Sequence, residues 1–138
     1  MRPFWDESGW EALYRQGSHL AKARAFADGL LRRRRDVRAA LDADLVYLHL
    51  EAVPLGPPVL ERRLARAGVP VVYDIDDLVH LPHASEANPF MRWLRSPDKV
   101  TELMAMADHV VVCTEHLRGI ALEHNPSVTN ISSTIDTG

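Results

Sequence analysis

Blocks of apolar and polar positions alternate along the chain and predict strands and helices in turn. Four short apolar runs, three of them rich in β-branched residues, are typical of buried strands. These predicted strands cover residues 45–50, 69–74, 109–113 and 128–131. Between and before them, apolar residues at helical spacing predict helices over residues 7–16, 18–41, 59–67, 97–107 and 115–123. Strands and helices in alternation predict an α/β domain with a Rossmann-like parallel sheet and helices on both faces.

Capping signals and apolar stripes refine these helices. Ser18, Ser96 and Thr114 are candidate N-caps, and Pro97 suits a first helical turn. On the helix over residues 18–41, Arg34 is expected to fall on the apolar stripe. That stripe is formed by Leu20, Ala23, Ala27, Leu30, Leu31, Val37 and Leu41.

Composition narrows the class of protein. The chain has 138 residues, 46% of them apolar, and a formal charge of −3, which is typical of one globular domain and gives no sign of nucleic-acid binding. The single cysteine, Cys113, excludes a disulfide within the chain and is expected to be a buried, inert thiol. No secretory signal and no membrane-length apolar stretch is evident. The sequence therefore predicts a cytoplasmic protein, with the inner face of the membrane as an alternative.

The run of four arginines at residues 32–35 is the reason to consider a location at the membrane. Consecutive helical residues project about 100° apart, so the four side chains spread around the helix instead of forming one patch. A solvated surface is the first expectation. Peripheral contact with anionic lipid headgroups through Arg32, Arg33 and Arg35 is the second.

Polar residues collect where three predicted strands end. Ligands of open α/β sheets bind at the carboxyl ends of the strands. The first and third strands end in substrate-binding candidates, which are His49, Glu51, Thr114 and Glu115. After the second strand, Asp74, Asp76 and Asp77 are further candidates.

Carboxylates this crowded need a metal, hydrogen-bond donors or a shared proton. Four interpretations follow from the residues alone. They are a divalent metal held against a diphosphate, a haloacid-dehalogenase-like phosphatase nucleophile at Asp74, metal-free binding of sugar hydroxyls, and helix capping with turn formation.

Residues 69–78, read Val-Pro-Val-Val-Tyr-Asp-Ile-Asp-Asp-Leu, carry a family resemblance together with residues 107–117, read Ala-Asp-His-Val-Val-Val-Cys-Thr-Glu-His-Leu. In this order and spacing they resemble the N-terminal domain of retaining glycosyltransferases of group 1 (family 4), which have the two-domain GT-B fold. The resemblance covers residues 44–136. It departs from the family at Asp76, where many relatives have histidine. The resemblance implies that Asp76 and Asp77 are the catalytic residues, which bind a sugar hydroxyl or accept a proton. It also implies that Glu51, Thr114 and Glu115 line the cleft.

The resemblance implies transfer of a sugar from a nucleotide-sugar donor to an acceptor hydroxyl with retention, without a catalytic metal or other cofactor. It implies that this chain is a partial, acceptor-side domain over residues 1–138. A first strand and a donor-binding C-terminal domain would then be absent, so the chain alone is expected to be inactive and to form homodimers. The remaining alternatives are a magnesium-dependent phosphatase fragment and a non-catalytic binding domain.

Overall fold

A computed structural model of the chain describes residues 4, 7, 11, 19–76, 96 and 98–132. The predicted N-terminal helix lies almost entirely outside these residues, although Glu7 and Glu11 are helical. Ser18, Asp77 and Pro97 also lie outside them. The described elements are α1 (His19–Ala40), β1 (Val46–His49), α2 (Val59–Arg66), β2 (Val71–Ile75), α3 (Lys99–Met106), β3 (His109–Val112), α4 (Glu115–Leu122) and β4 (Val128–Asn130). They confirm the predicted α/β class.

The four strands form one parallel sheet in the order β1-β2-β3-β4. In the register of its first three strands, His49 lies opposite Asp74 and Asp74 opposite Val111. Every crossover leads to the next strand in the same direction. Because such crossovers are nearly always right-handed, α2, α3 and α4 are expected on one face of the sheet. The sequence predicted helices on both faces, and this handedness rule places the three crossover helices on one of them.

Burial alternates along the strands and defines two faces. We call the face that carries Leu48, Tyr73, Ile75, Val110 and Val112 the covered face, because all five are buried in the main apolar cluster. Burying each aliphatic side chain contributes about 1.5–3 kcal/mol. The helices supply the remaining large members of this cluster, which include Leu60, Leu64, Val100, Leu103, Met104 and Leu117.

The opposite face, which we call the open face, carries half-buried or exposed residues. They are Tyr47, His49, Val72, Asp74, His109, Val111 and Thr129.

Two predicted helix caps have different outcomes. Thr114 is confirmed as the N-cap of α4, since its hydroxyl accepts a hydrogen bond from the Leu117 N–H at 3.1 Å. Ser96 is not the cap of α3. That helix begins at Lys99 after Asp98, which makes no side-chain capping bond. Starting there points the Lys99 side chain into the protein interior, where it meets a carboxylate.

The predicted stripe of α1 is partly wrong. Leu20 is 88% exposed, and Ala23, Ala27, Leu31 and Arg34 are also exposed. Leu30, Val37 and Leu41 of the predicted stripe do pack on the core. Gly29, Phe26 and Arg33, which the stripe did not include, complete the buried side of the helix.

A close aromatic contact explains this rotation of α1. The Phe4 ring packs on Phe26 with centroids 5.6 Å apart, and it lies so near Gly29 that an added Cβ would be 2.8 Å from it. Gly29 therefore lies where α1 packs against Phe4. A pattern of apolar side chains does not predict such a contact, because glycine has no side chain.

Candidate functional site

The carboxyl ends of β1 and β2 bring His49, Asp74 and Asp76 together, as the sequence predicted for strand ends. The Nδ1 atom of His49 lies 2.9 Å from Oδ2 of Asp74. Its Nε2 atom lies 3.9 Å from Oδ2 of Asp76. Parallel pairing at equal height causes this, because His49 and Asp74 are register partners on the open face.

The contact with Asp74 defines the chemistry of the His49 ring. A carboxylate only accepts hydrogen bonds, so a neutral His49 donates its Nδ1–H and presents Nε2 as an acceptor. The 3.9 Å separation from Asp76 is too long for a direct hydrogen bond. It is short enough for one hydroxyl oxygen to contact both atoms. The arrangement suits binding of a hydroxyl group and acceptance of its proton.

Tyr47 is a third group at Asp74. A hydrogen-bonding interaction with the Asp74 carboxylate raises the pKa of Tyr47, with smaller contributions from burial and from the negative charge of Asp74. The Tyr47 side chain is 58% exposed on the open face. Tyr47 was not among the residues predicted for the site. It lies two residues before His49 on the same strand, and this spacing indicates that the two side chains share one face of the sheet.

Cys113 connects the end of β3 to the same region. Its Sγ donates to the carbonyl oxygen of Asp76 at 2.9 Å, and the residue is half-buried. The expectation of a fully buried thiol was therefore wrong. Among the described residues, no group of three or more histidine, cysteine, aspartate and glutamate side chains has a geometry that could hold a metal ion.

Glu51 forms an ion pair with a buried lysine. Its carboxylate lies 2.7 Å from Nζ of Lys99, and the Lys99 side chain is only 3% exposed. Lys99 also donates to the carbonyl oxygen of Val53. The sequence placed Glu51 with the substrate-binding residues. In the structure its carboxylate pairs with the buried Lys99, and substrate binding by Glu51 stays a prediction.

Two further side chains hold the segment that follows β1. The Ala52 N–H donates to Oε1 of Glu61 at 3.0 Å, and Nε of Arg33 donates to the Ala52 carbonyl at 2.7 Å. The other carboxylate oxygen of the buried Glu61 has no protein partner in the described structure. Burial, followed by the negative charges of Glu51, Glu61 and Asp74, raises the pKa of Tyr73.

Thr114 and Glu115 lie at the end of β3, but their contacts are made within α4 and with β4. The Thr114 hydroxyl caps α4. Glu115 accepts a hydrogen bond from Nδ2 of Asn130 at 2.6 Å and lies 3.6 Å from Nη1 of Arg118. No described contact joins either residue to His49.

The arginine run is spread around α1, as its spacing predicted. Arg33 is held at Ala52 and lies 3.8 Å from Asp36, and Arg32 donates to the Phe4 carbonyl at 3.4 Å. Arg34 and Arg35 are exposed. Membrane contact through this run stays a prediction. In the part of the chain that the structure describes, no helix combines the length and apolar character needed to cross a bilayer.

Comparison with known proteins adds no relative to this description. No family model matches the sequence, and no curated protein and no solved structure is significantly similar to the chain.

Proposed function

We propose that this chain forms the acceptor side of a sugar-transfer site, in which His49 and Asp74 bind and activate an acceptor hydroxyl. The parent activity is transfer from a nucleotide-sugar donor with retention. The proposal is supported by the resemblance of residues 69–78 and 107–117 to group 1 glycosyltransferases, and by the geometry at the ends of β1 and β2.

The contact that carries the proposal is the 2.9 Å pair between His49 and Asp74, with Asp76 at 3.9 Å on the other side of the ring. Asp74 holds the ring so that Nε2 faces outward as an acceptor. Asp76, with a side chain 57% exposed, offers an acceptor for a neighbouring hydroxyl of the sugar.

The reaction assigns a role to each group. The acceptor oxygen bonds to the anomeric carbon of the donor on the same face from which the nucleoside diphosphate leaves, so that the configuration of this carbon is retained. The diphosphate leaves with the bonding electrons, and the hydroxyl proton passes to Nε2 of His49. Asp74 stabilises the imidazolium that forms, because its carboxylate lies against the other ring nitrogen.

The phosphatase alternative has less support. In that mechanism Asp74 would be the nucleophile, yet one of its carboxylate oxygens is held by His49. Tyr47 also interacts with this carboxylate. A group held by donors is better suited to orienting a base than to attacking phosphorus.

Sugar binding by this chain is the direct test, since the resemblance assigns the donor to another domain. Glucose, galactose, mannose and N-acetylglucosamine are titrated separately while ¹⁵N-labelled histidine side chains are followed by NMR. At least one sugar is expected to move the His49 ring signals. The substitution His49→Gln should weaken binding of that sugar by about tenfold, which corresponds to one or two hydrogen bonds.

His109 provides the matched control. It lies on the same open face near the opposite end of the sheet, where it contacts the Ser127 and Thr129 hydroxyls. The substitution His109→Gln should leave sugar affinity unchanged. The proposal is overturned if none of the four sugars binds, or if both substitutions weaken binding equally.

A further inference from the structure

We propose that Lys99 is the positioning residue of this site, because it holds the turn at residues 50–53 that fixes the His49 ring against Asp74. That this positioning supports sugar transfer rests on the proposed function. That Lys99 holds the turn and the His49 ring is independent of it.

The turn begins with a strained residue directly after His49. Leu50 has a φ of +59°, in the left-handed region that a branched side chain rarely adopts. At the same point, the Leu50 N–H donates to the Asp74 carbonyl at 2.9 Å and continues the register of β1 with β2. A strained conformation persists only where surrounding contacts determine it. Residues 51–53 must therefore be held from outside the turn.

Lys99 makes two of the contacts that hold the turn, from the first residue of α3. It pairs with Glu51 at 2.7 Å and donates to the Val53 carbonyl. The side chains of Arg33 and Glu61 secure Ala52, which lies between these two anchor points. Three helices thus contact one turn, and Lys99 is the one side chain among these that contacts the residues on both sides of Ala52.

The burial of Lys99 argues against a role in stability alone. Removing a lysine ammonium and a carboxylate from water costs about as much as their attraction returns, so a buried pair is weak support for stability. The Glu51–Lys99 pair instead determines the backbone conformation of the turn, because it holds the chain directly after Leu50. Without it, Leu50 is free to relax toward the extended region and to lose its N–H bond to the Asp74 carbonyl, which loosens the end of the β1–β2 register that holds His49 beside Asp74.

A double substitution tests this role while sparing the fold. Glu51→Met with Lys99→Met removes both charges together, which a core tolerates far better than loss of one partner. The control is Arg62→Met with Glu102→Met. In that pair, Nη2 of Arg62 and Oε2 of Glu102 are 2.7 Å apart. The pair joins α2 to α3 and lies outside the turn.

The readout is the tautomer of neutral His49, measured from its ring ¹⁵N shifts. The unsubstituted protein should show one dominant tautomer with the proton on Nδ1. The Glu51/Lys99 double variant should show a mixture of tautomers, and the Arg62/Glu102 variant should retain the single form. Adding Leu50→Gly to the Glu51/Lys99 variant should restore the single form in part, because glycine adopts a positive φ without strain.

The outcomes separate the two proposals. A folded Glu51/Lys99 variant with an unchanged His49 tautomer overturns the role of Lys99, whatever the sugar titrations show. If that variant does not fold, the triple variant with Leu50→Gly is measured, and its failure to fold assigns Lys99 to stability and also overturns the role. A shifted tautomer in a protein that binds no sugar supports Lys99 and rejects the sugar-transfer site.

Discussion

The covered and open faces of the sheet are built from alternate residues of the same strands, yet they differ in both burial and chemistry. Tyr73 on the covered face is 1% exposed, whereas Tyr47 on the open face is 58% exposed. The two tyrosines belong to neighbouring strands, and the negative charge of Asp74 contributes to a raised pKa in both. The covered face is apolar and packed by helices. The open face carries His49 and Asp74.

This difference shows how one short strand supports both packing and chemistry. Residues i and i+2 of a strand lie on the same face, so a polar residue between two buried ones costs the core nothing. In β2, Asp74 lies between Tyr73 and Ile75, which are both buried. Its carboxylate therefore has a rigid backbone and a half-exposed position, which a binding site requires.

The largest expected effect compares two adjacent valines of β3. Val110 is fully buried on the covered face, and Val111 is half-buried on the open face. Val110→Ala should lower the free energy of unfolding by about 2–3 kcal/mol, because it leaves a cavity among packed side chains. Val111→Ala should cost about 1 kcal/mol or less. Urea denaturation of both variants measures the difference, and equal losses would contradict the division into two faces.

The two tyrosines give the next effect, through pH. Burial raises the pKa of Tyr73 above its ordinary value near 10.0, so the folded protein keeps this phenol protonated while the unfolded chain ionises. The resulting stability is fully present below pH about 10 and is lost as pH rises above it, by up to about 1.4 kcal/mol per pH unit.

Urea denaturation between pH 9 and pH 12 measures this alkaline slope, where the range is set by the ordinary tyrosine pKa of about 10. Tyr73→Phe should flatten it. The matched variant Tyr47→Phe should leave most of it, because the exposed phenol of Tyr47 is solvated in both states. A slope that depends on Tyr47 instead would show that the interaction of Tyr47 with Asp74 raises its pKa more than burial raises that of Tyr73.

The smallest effect concerns the end of β3, where Thr114 was predicted to bind substrate. Its described contact is the cap of α4, so Thr114→Ala should cost about 1 kcal/mol of stability. It should leave sugar affinity and the His49 tautomer unchanged. Thr101→Ala is the control, because the Thr101 hydroxyl only donates back to the Asp98 carbonyl on the exposed surface. A sugar titration of Thr114→Ala with weaker binding would extend the site to β3.

The apolar runs predicted all four strands to within about two residues, and the parallel sheet followed from their alternation with helices. The acidic strand end was also found from sequence, since Asp74 and Asp76 follow an apolar run. The sequence suggested that His49 would lie beside the aspartates if the two strands were neighbours, and a hydrogen-bonded histidine was the favoured interpretation. The structure shows that the strands are neighbours, and their register places Nδ1 of His49 2.9 Å from Asp74.

Lys99, Glu61 and Arg33 were missed for a common reason. Each is a charged side chain on a helix, where solvent exposure is the ordinary expectation. Their partners lie in the turn after β1, 46, 9 and 19 residues away along the chain. No local pattern encodes such pairs, and the rotation of α1 around Phe4 and Gly29 was hidden in the same way.

The sequence by itself determined the elements, their α/β order and the strand ends that bear carboxylates, because apolar periodicity and caps act within a few residues. The tertiary structure alone decided which carboxylate meets His49 and which is neutralised by a buried lysine. It also decided which side of each strand is covered. These choices depend on strand register, crossover handedness and contacts between distant residues, which are properties of the assembled chain.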